Sequence, residues 1–171
     1  VSREYSSTPG LLTPPVLGER WTSSLMPFIA TSAGSPTPEI YVFTNPVAAT
    51  PFIRDSGVNK WFPLAKTSDQ FIVEEQIDIL DPSNPTGSPL FDDMPVFTLV
   101  APGEWAMSFG AVPTLLEYGL PLQARDVYGN RQQYLYEEFD VLRRPLPEAI
   151  WCYRNDLTIE AKLGIEWIGY N

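Results

Sequence analysis

The chain has 171 residues, with 11 Lys and Arg against 21 Asp and Glu for a net charge of -10, no histidine, one cysteine and 18 prolines. Without histidine there is no Ser-His-Asp or Cys-His relay, no imidazole metal cage and no histidine pH switch; a single cysteine makes neither an internal disulfide nor a Cys-based zinc site. The acidic balance argues against a surface whose main work is neutralising nucleic-acid phosphates, and no apolar run approaches the roughly 20 residues that carry a helix across a membrane.

The apolar share is 44%, with nine Phe, eight Tyr and five Trp, which suffices to close one core in a chain of this length. No basic-plus-apolar leader is legible at the start, so no signal peptide is expected. Val1 is read as the product of initiator-Met removal or of cleavage from a longer precursor.

Residues 1–38 read as an extended arm. Pro9, Pro14 and Pro15 with Gly10 and Gly18, then SAGSPTP at 32–38, fix φ and remove donors, so the stretch suits neither a helix nor a central strand. Yet Tyr5, Leu11, Leu12, Val16, Leu17, Trp21 and Phe28 are too apolar for a tail that stays in water. They are the expected interface anchors, lying on the chain's own domain or on a neighbouring subunit.

Residues 39–171 read as one antiparallel β domain. EIYVF at 39–43 is a short strand, and 44–69 is irregular except around Trp61 and Phe62. QFIVEEQIDIL at 70–80 alternates with period two, DPSNPTGSP at 81–89 is a loop, and 95–101 with 105–111 forms a hairpin about PGE. PTLLEYGLP at 113–121 holds at most a turn or two of helix. Two strands follow around Gly129-Asn130, then a connector at 145–149, a strand at 150–153, and a long half-buried strand over 157–167. Eight or so strands without a sustained helical stripe predict an all-β fold, an antiparallel two-sheet sandwich or jelly-roll-like barrel with a Pro-rich N-terminal arm.

Charge divides unevenly. Residues 1–68 carry five basic and four acidic groups, and 69–171 carry six against 17. A near-neutral front joined to an acidic body suits an arm that docks on an acidic neighbour, and it equally suits plain solvated surface.

Several side-chain groups bear on chemistry. Glu75 and Glu137 each sit at an apolar-face position of a strand and could act as the carboxylate pair of a glycosidase, or pair with Arg125, Arg143 or Arg144. Asp78, Asp81, Asn84, Asp92 and Asp93 flank one loop and offer oxygens that suit Ca²⁺, but without the spacing of a calcium loop. Tyr128, Tyr134, Tyr136, Trp151 and Tyr153 could form a stacking platform for sugars, with Tyr134, Tyr136, Trp151 and Tyr153 as its centre, or could be ordinary core and interface rings. Cys152 reads as a small buried apolar group.

The functional expectation is a structural subunit of a large assembly rather than an enzyme. It is a virion protein (capsid, cement or connector) that locks neighbours through its arm, without cofactor or metal. Its partners would be copies of itself or a major coat or scaffold protein, with no direct nucleic-acid or membrane contact. A carbohydrate-binding or adhesin module in the cytoplasm or outside the cell, and a glycosidase using the two glutamates, are the alternatives.

Overall fold

A computed structural model of the chain describes residues 3–5, 21–23, 27–31, 39–45, 48–65, 68–111, 118–139 and 144–164. These residues form thirteen strands: β1 (Arg3–Tyr5), β2 (Trp21–Ser23), β3 (Phe28–Thr31), β4 (Glu39–Asn45), β5 (Ala48–Asp55), β6 (Lys60–Pro63), β7 (Phe71–Ile79), β8 (Phe91–Ala101), β9 (Trp105–Ala111), β10 (Tyr118–Asp126), β11 (Arg131–Phe139), β12 (Arg144–Tyr153) and β13 (Ile159–Gly164). β1 and β2 pair as a two-stranded sheet, and the others form one antiparallel sheet in the order β13-β12-β11-β10-β3-β4-β5-β6-β7-β8-β9. An additional pairing of β10 with β9 closes the eight strands β3–β10 into a barrel, and β11–β13 extend the sheet beyond it. Barrel neighbours follow one another in sequence, so this is an up-and-down barrel; the Greek-key crossings of a jelly roll do not occur among the described strands.

Alternation along each strand sorts the core. Register carries one face from Ile29 to Val42, from Ile40 to Phe52, from Trp61 to Ile72 and on to Leu99, and from Phe97 to Phe109. These side chains pack into one cluster with contributions from all of β3–β9. It fills the lumen, and Phe52, Phe109 and Ile72 are each 1% exposed. Burying a side chain of this size contributes about 1.5–3 kcal/mol. β10 contributes its backbone here, because Gly119 lies between Ile29 and Ala111. A Cβ on Gly119 would stand 2.5 Å from Ile29 Cγ1 and 3.2 Å from Phe109 Cβ.

The opposite face of the wall is covered in part by the extension. Phe28, Ala30, Phe43 and Leu120 form one outer cluster, and Ile77, Ile79, Val96 and Leu122 form another; Tyr136 of β11 packs on both. Its hydroxyl donates to the Pro121 carbonyl at 2.7 Å. Gln133 is wholly buried and bonds the backbone just after β7 with both ends of its amide: Oε1 accepts from Leu80 N at 2.9 Å, and Nε2 donates to Leu80 O at 2.8 Å. Thus β11 lies over the outer face of the β7–β8 end.

Several sequence expectations change. The presumed arm does not run to residue 38, because β3 is a wall strand between β10 and β4; four apolar or small residues between prolines suffice for a short strand. The segment 44–69, expected to be irregular except around Trp61 and Phe62, contains β5 in addition to the expected strand, β6. Pro51 is tolerated in β5 because its carbonyl accepts from Leu64 N, just past the end of β6. In an antiparallel strand the N–H and C=O of one residue point to the same side, so the missing donor faces a position where β6 has ended. The connector at 145–149 is the first half of β12, and the latter part of the predicted helical turn, from Tyr118, is β10. Within the described part of 157–167, residues Ile159–Gly164 form β13, exposed on both faces rather than half-buried.

Replacing Gly119 with Ala forces a methyl into the packed lumen. It is expected to cost about 1–3 kcal/mol, read as a lower urea midpoint with an unchanged slope. Gln133→Leu keeps the volume but strips the Leu80 N–H and C=O of their partners. A loss of about 1–3 kcal/mol is expected, together with faster exchange of the Leu80 amide proton.

Candidate functional site

Three regions gather polar chemistry. The first runs along the outer face of β7–β10. Glu75 shares this face with Val73 and Ile77, and its Oε1 accepts from Thr98 Oγ1 at 2.5 Å. Thr98 Oγ1 also shares a hydrogen bond with Ser108 Oγ at 2.9 Å. Thr98 and Ser108 are directly opposed on β8 and β9 and are both buried, so each hydroxyl is satisfied inside the wall, as buried polar groups must be. Arg125 of β10 reaches the same Glu75 oxygen at 3.3 Å. With side-chain exposures of 45% and 28%, this pair belongs to the weak, solvent-screened kind.

Glu75 is therefore tied to a hydroxyl and to Arg125, one of the cations the sequence offered as its partner. On the other side of the same strands, facing the lumen, a hollow of about 550 Å³ is lined by Glu74, Gln76, Pro95, Phe97 and Phe109 among others. Glu137 belongs to β11, opposite Leu146, but its side chain lies outside the described residues.

The second region is the acidic mouth of the β7–β8 loop. Carboxylate oxygens of Asp78, Asp92 and Asp93 lie within 4.8 Å of one another, all on exposed residues. Asp78 occupies a register shift between Ile77 and Ile79. Its Oδ1 accepts from Asp93 N at 3.2 Å, and Asp93 has φ 50°. Asp92's carboxyl is raised above its ordinary value of 3.8, first by its hydrogen bond with Asp78 and then by repulsion from Asp93 and Asp78. Three carboxylates form a hard oxygen donor set of the type that suits Ca²⁺.

The other two oxygen donors of this loop play turn roles. Asp81 Oδ1 accepts from Ser83 N at 2.8 Å and from Ser83 Oγ at 2.7 Å, which lowers its pKa, the hydroxyl bond counting most. Asn84 packs against Gly87, where its side chain leaves no room for a Cβ. Asp126 likewise organises the β10–β11 turn, accepting from Tyr128 N, Asn130 N and Asn130 Nδ2; Gly129 there has φ 85°. This turn stands where the Gly129-Asn130 pair placed it.

The third region is a groove of about 530 Å³ beside β9–β13, with Met107, Ala124, Gln132, Cys152, Glu160 and Ala161 in its lining. Register aligns Met107, Ala124, Gln132, Cys152 and Ala161 across five strands. Burial raises the Cys152 thiol, and Glu160 pushes it further the same way, so the sulfur stays protonated and a weak nucleophile. Glu160 itself accepts from Arg154 Nη2 at 3.1 Å.

The four rings at the centre of the supposed sugar platform do not line one open surface. Tyr134 and Tyr153 are 6% and 1% exposed, Tyr136 is bonded to Pro121 and packed on the wall, and Trp151 lies half-buried with Lys162 Nζ 4.6 Å from its ring centroid. Tyr128 stands apart in the exposed β10–β11 turn. Among the supposed anchors, Phe28 is a core residue whose ring stacks on Phe43 at 4.4 Å. Tyr5 lies in β1 directly opposite Trp21 in β2, while Leu11, Leu12, Val16 and Leu17 lie outside the described residues.

The row linking Glu75, Thr98, Ser108 and Arg125 escaped sequence reasoning, because a cross-strand network depends on register and not on spacing. Its one sequence signal is the pair of polar residues, Thr98 and Ser108, inside the otherwise apolar runs 95–101 and 105–111. No protein-family model, curated protein or solved structure matches the chain.

The triad gives a pH signature. A carboxyl whose folded pKa is raised opposes folding when ionised, and that penalty disappears as pH falls through the folded pKa towards the ordinary 3.8. Asp92→Asn is thus expected to unfold at a higher temperature than the parent at neutral pH. The difference should close below pH 3.8, as followed by circular dichroism melts across a pH series.

Proposed function

We propose that this chain is a structural subunit of a large protein assembly, and among assemblies a virion, where it serves as a capsid, cement or connector protein. The observation that carries this reading is the filled barrel. Seven wall strands send Ile, Val, Phe, Trp and Leu into one lumen cluster, so apart from the hollow beside Glu74, Phe97 and Phe109 the apolar residues make a stiff block. Such a block acts through its outside. Its partners are copies of itself, a major coat or scaffold protein, or both.

The N-terminal segment supplies the lock. Leu11, Leu12, Val16 and Leu17 fall among prolines that hinder regular pairing, between β1 and β2, whose antiparallel pairing brings the ends of this stretch together; apolar side chains carried on such a stretch gain stability by lying on a neighbour. The barrel begins at β3, from Phe28, so the arm precedes it and can be removed without cutting a wall strand. The mechanism is geometric: the block sets spacing, and the arm fixes which blocks are neighbours.

Deleting residues 1–24 is expected to leave a folded barrel, with the far-ultraviolet spectrum and melting of the parent, that no longer assembles. Light scattering and electron microscopy of the two proteins under assembly conditions check this. An arm-deleted protein that assembles as the parent does, with unchanged stability, overturns the reading.

A further inference from the structure

We infer that the hollow on the lumen side of the β7–β8 hairpin is a binding site for a small organic ammonium ion with an apolar body. β6 reaches β7 only as far as Lys60 opposite Val73, while β7 and β8 remain paired beyond it to Ile79 and Phe91. The lumen side of this hairpin therefore stands open past the wall that β6 forms. Its hollow of about 550 Å³ falls within the roughly 300–1,000 Å³ of small-molecule sites.

Register builds the site. Glu74 stands opposite Phe97, and Phe97 opposite Phe109, so a carboxylate and two rings form one row across β7, β8 and β9. Gln76 and Pro95 form the next row towards the open end. Phe109 is buried in the lumen cluster and Phe97 packs against it, so the floor is apolar and fixed. Trp61 meets Phe97 edge on, with 5.5 Å between centroids, and its indole Nε1 is buried without a hydrogen-bond partner among the described residues. Glu74 and Gln76 are exposed at the rim. Neither side chain has a hydrogen bond or ion pair among the described residues.

Charge selects the ligand. Of the two lining glutamates, Glu75 points to the outer face and is held by Thr98 and Arg125, which leaves Glu74 as the charge offered to the hollow. The cations of the neighbouring strands are engaged elsewhere: Arg54 donates to Asn59 and lies over Trp61, and Lys60 lies over Phe71. Asp78, Asp92 and Asp93 at the same end of the hairpin add a negative field that draws cations and repels anions. An ammonium group on Glu74 also comes within reach of the Phe97 ring, a pairing that aromatic walls favour, and Gln76 offers an amide to a second polar group. An anionic ligand brings like charges together in the hollow, and a purely apolar one leaves the carboxylate without a partner. The site does not depend on the assembly reading, which concerns the outside of the barrel and the arm.

The test is nuclear magnetic resonance of the isotope-labelled full chain, titrated at neutral pH with three probes that share a ring: phenethylamine, phenethyl alcohol and phenylacetate. The amine is expected to shift the backbone amide signals of Glu74, Gln76 and Phe97 and the indole signal of Trp61. The alcohol is expected to bind about tenfold more weakly, and phenylacetate to shift none of these signals up to about 10 mM. Glu74→Gln is expected to erase the preference for amine over alcohol while leaving alcohol binding in place. Glu104→Gln, which removes a charge from the β8–β9 turn at the opposite end of β8, is expected to keep that preference. Both positions are exposed, and circular dichroism melts verify that each variant is folded. An amine that shifts none of the signals up to about 10 mM, an alcohol or phenylacetate bound as tightly as the amine, or a Glu74→Gln protein that still prefers the amine each overturns the inference.

Discussion

Strand β10 has three hydrogen-bonded neighbours and only two edges. One edge runs beside β9 from Gly119 to Asp126. The other is divided: Tyr118 and Gly119 pair with β3, and Gln123 to Arg125 pair with β11. The barrel closes only because the first part of that edge takes β3, and the sheet continues only because the second part takes β11. Pro121 stands between the two partners. A proline there leaves no N–H to satisfy, its carbonyl receives the Tyr136 hydroxyl, and a register shift between Pro121 and Gln123 turns the strand from one partner to the next. Prolines belong at bulges and at the ends of pairing, and this one marks the point where barrel and extension separate.

From that division follows the covering of the outer wall. Because β11 leaves β10 after a few pairs, it can lie across the wall, and the wall beneath it must be apolar or internally satisfied. Gly110 is small where Leu122 comes close, since a Cβ there would stand 2.3 Å from Leu122 Cδ1. Thr98 and Ser108 bond each other and Glu75, and Gln133 bonds Leu80 at both ends of its amide. A polar group left bare under this cover would cost more than a paired one returns. Burial holds the Tyr136 phenol well above its ordinary 10.0, so it remains a donor to Pro121 at any physiological pH.

Much of the fold was legible where local rules act alone. Period-two alternation located β7, the Pro102-Gly103-Glu104 turn located the β8–β9 hairpin, and Gly129-Asn130 located the β10–β11 turn. What escaped was set by partners distant in sequence. Pro51, Pro121, Pro145 and Pro147 argued against strands, yet β5, β10 and β12 tolerate them beside ended or shifted pairing. β13 alternates as a half-buried strand should, but its place in the sheet order is the free end, and periodicity carries no information about what lies above a strand. Of the candidate sites, the sequence named Asp78, Asp92 and Asp93 within a wider acidic set and offered Arg125 as a partner for Glu75. The separation of these aspartates from Asp81 and Asn84 needed the bulge at Asp78, which no spacing rule announces.

The division of charge acquires a different meaning in the fold. Its boundary near residue 68 falls between β6 and β7, inside the barrel, so it separates two sides of one wall and not an arm from a body. The side holding β5 and β6 has Arg54 and Lys60, with Val58, Phe62 and Leu64 exposed; the side beginning at β7 carries Glu74, Glu75 and the aspartate cluster. For a chain of charge -10, approach of a second copy is opposed at long range and screened only beyond about 8–10 Å in physiological salt. Contact between copies is therefore least costly where the near-neutral wall meets a neighbour, or where an acidic group finds a cation in register. Net charge thus restricts which faces of two such chains can meet.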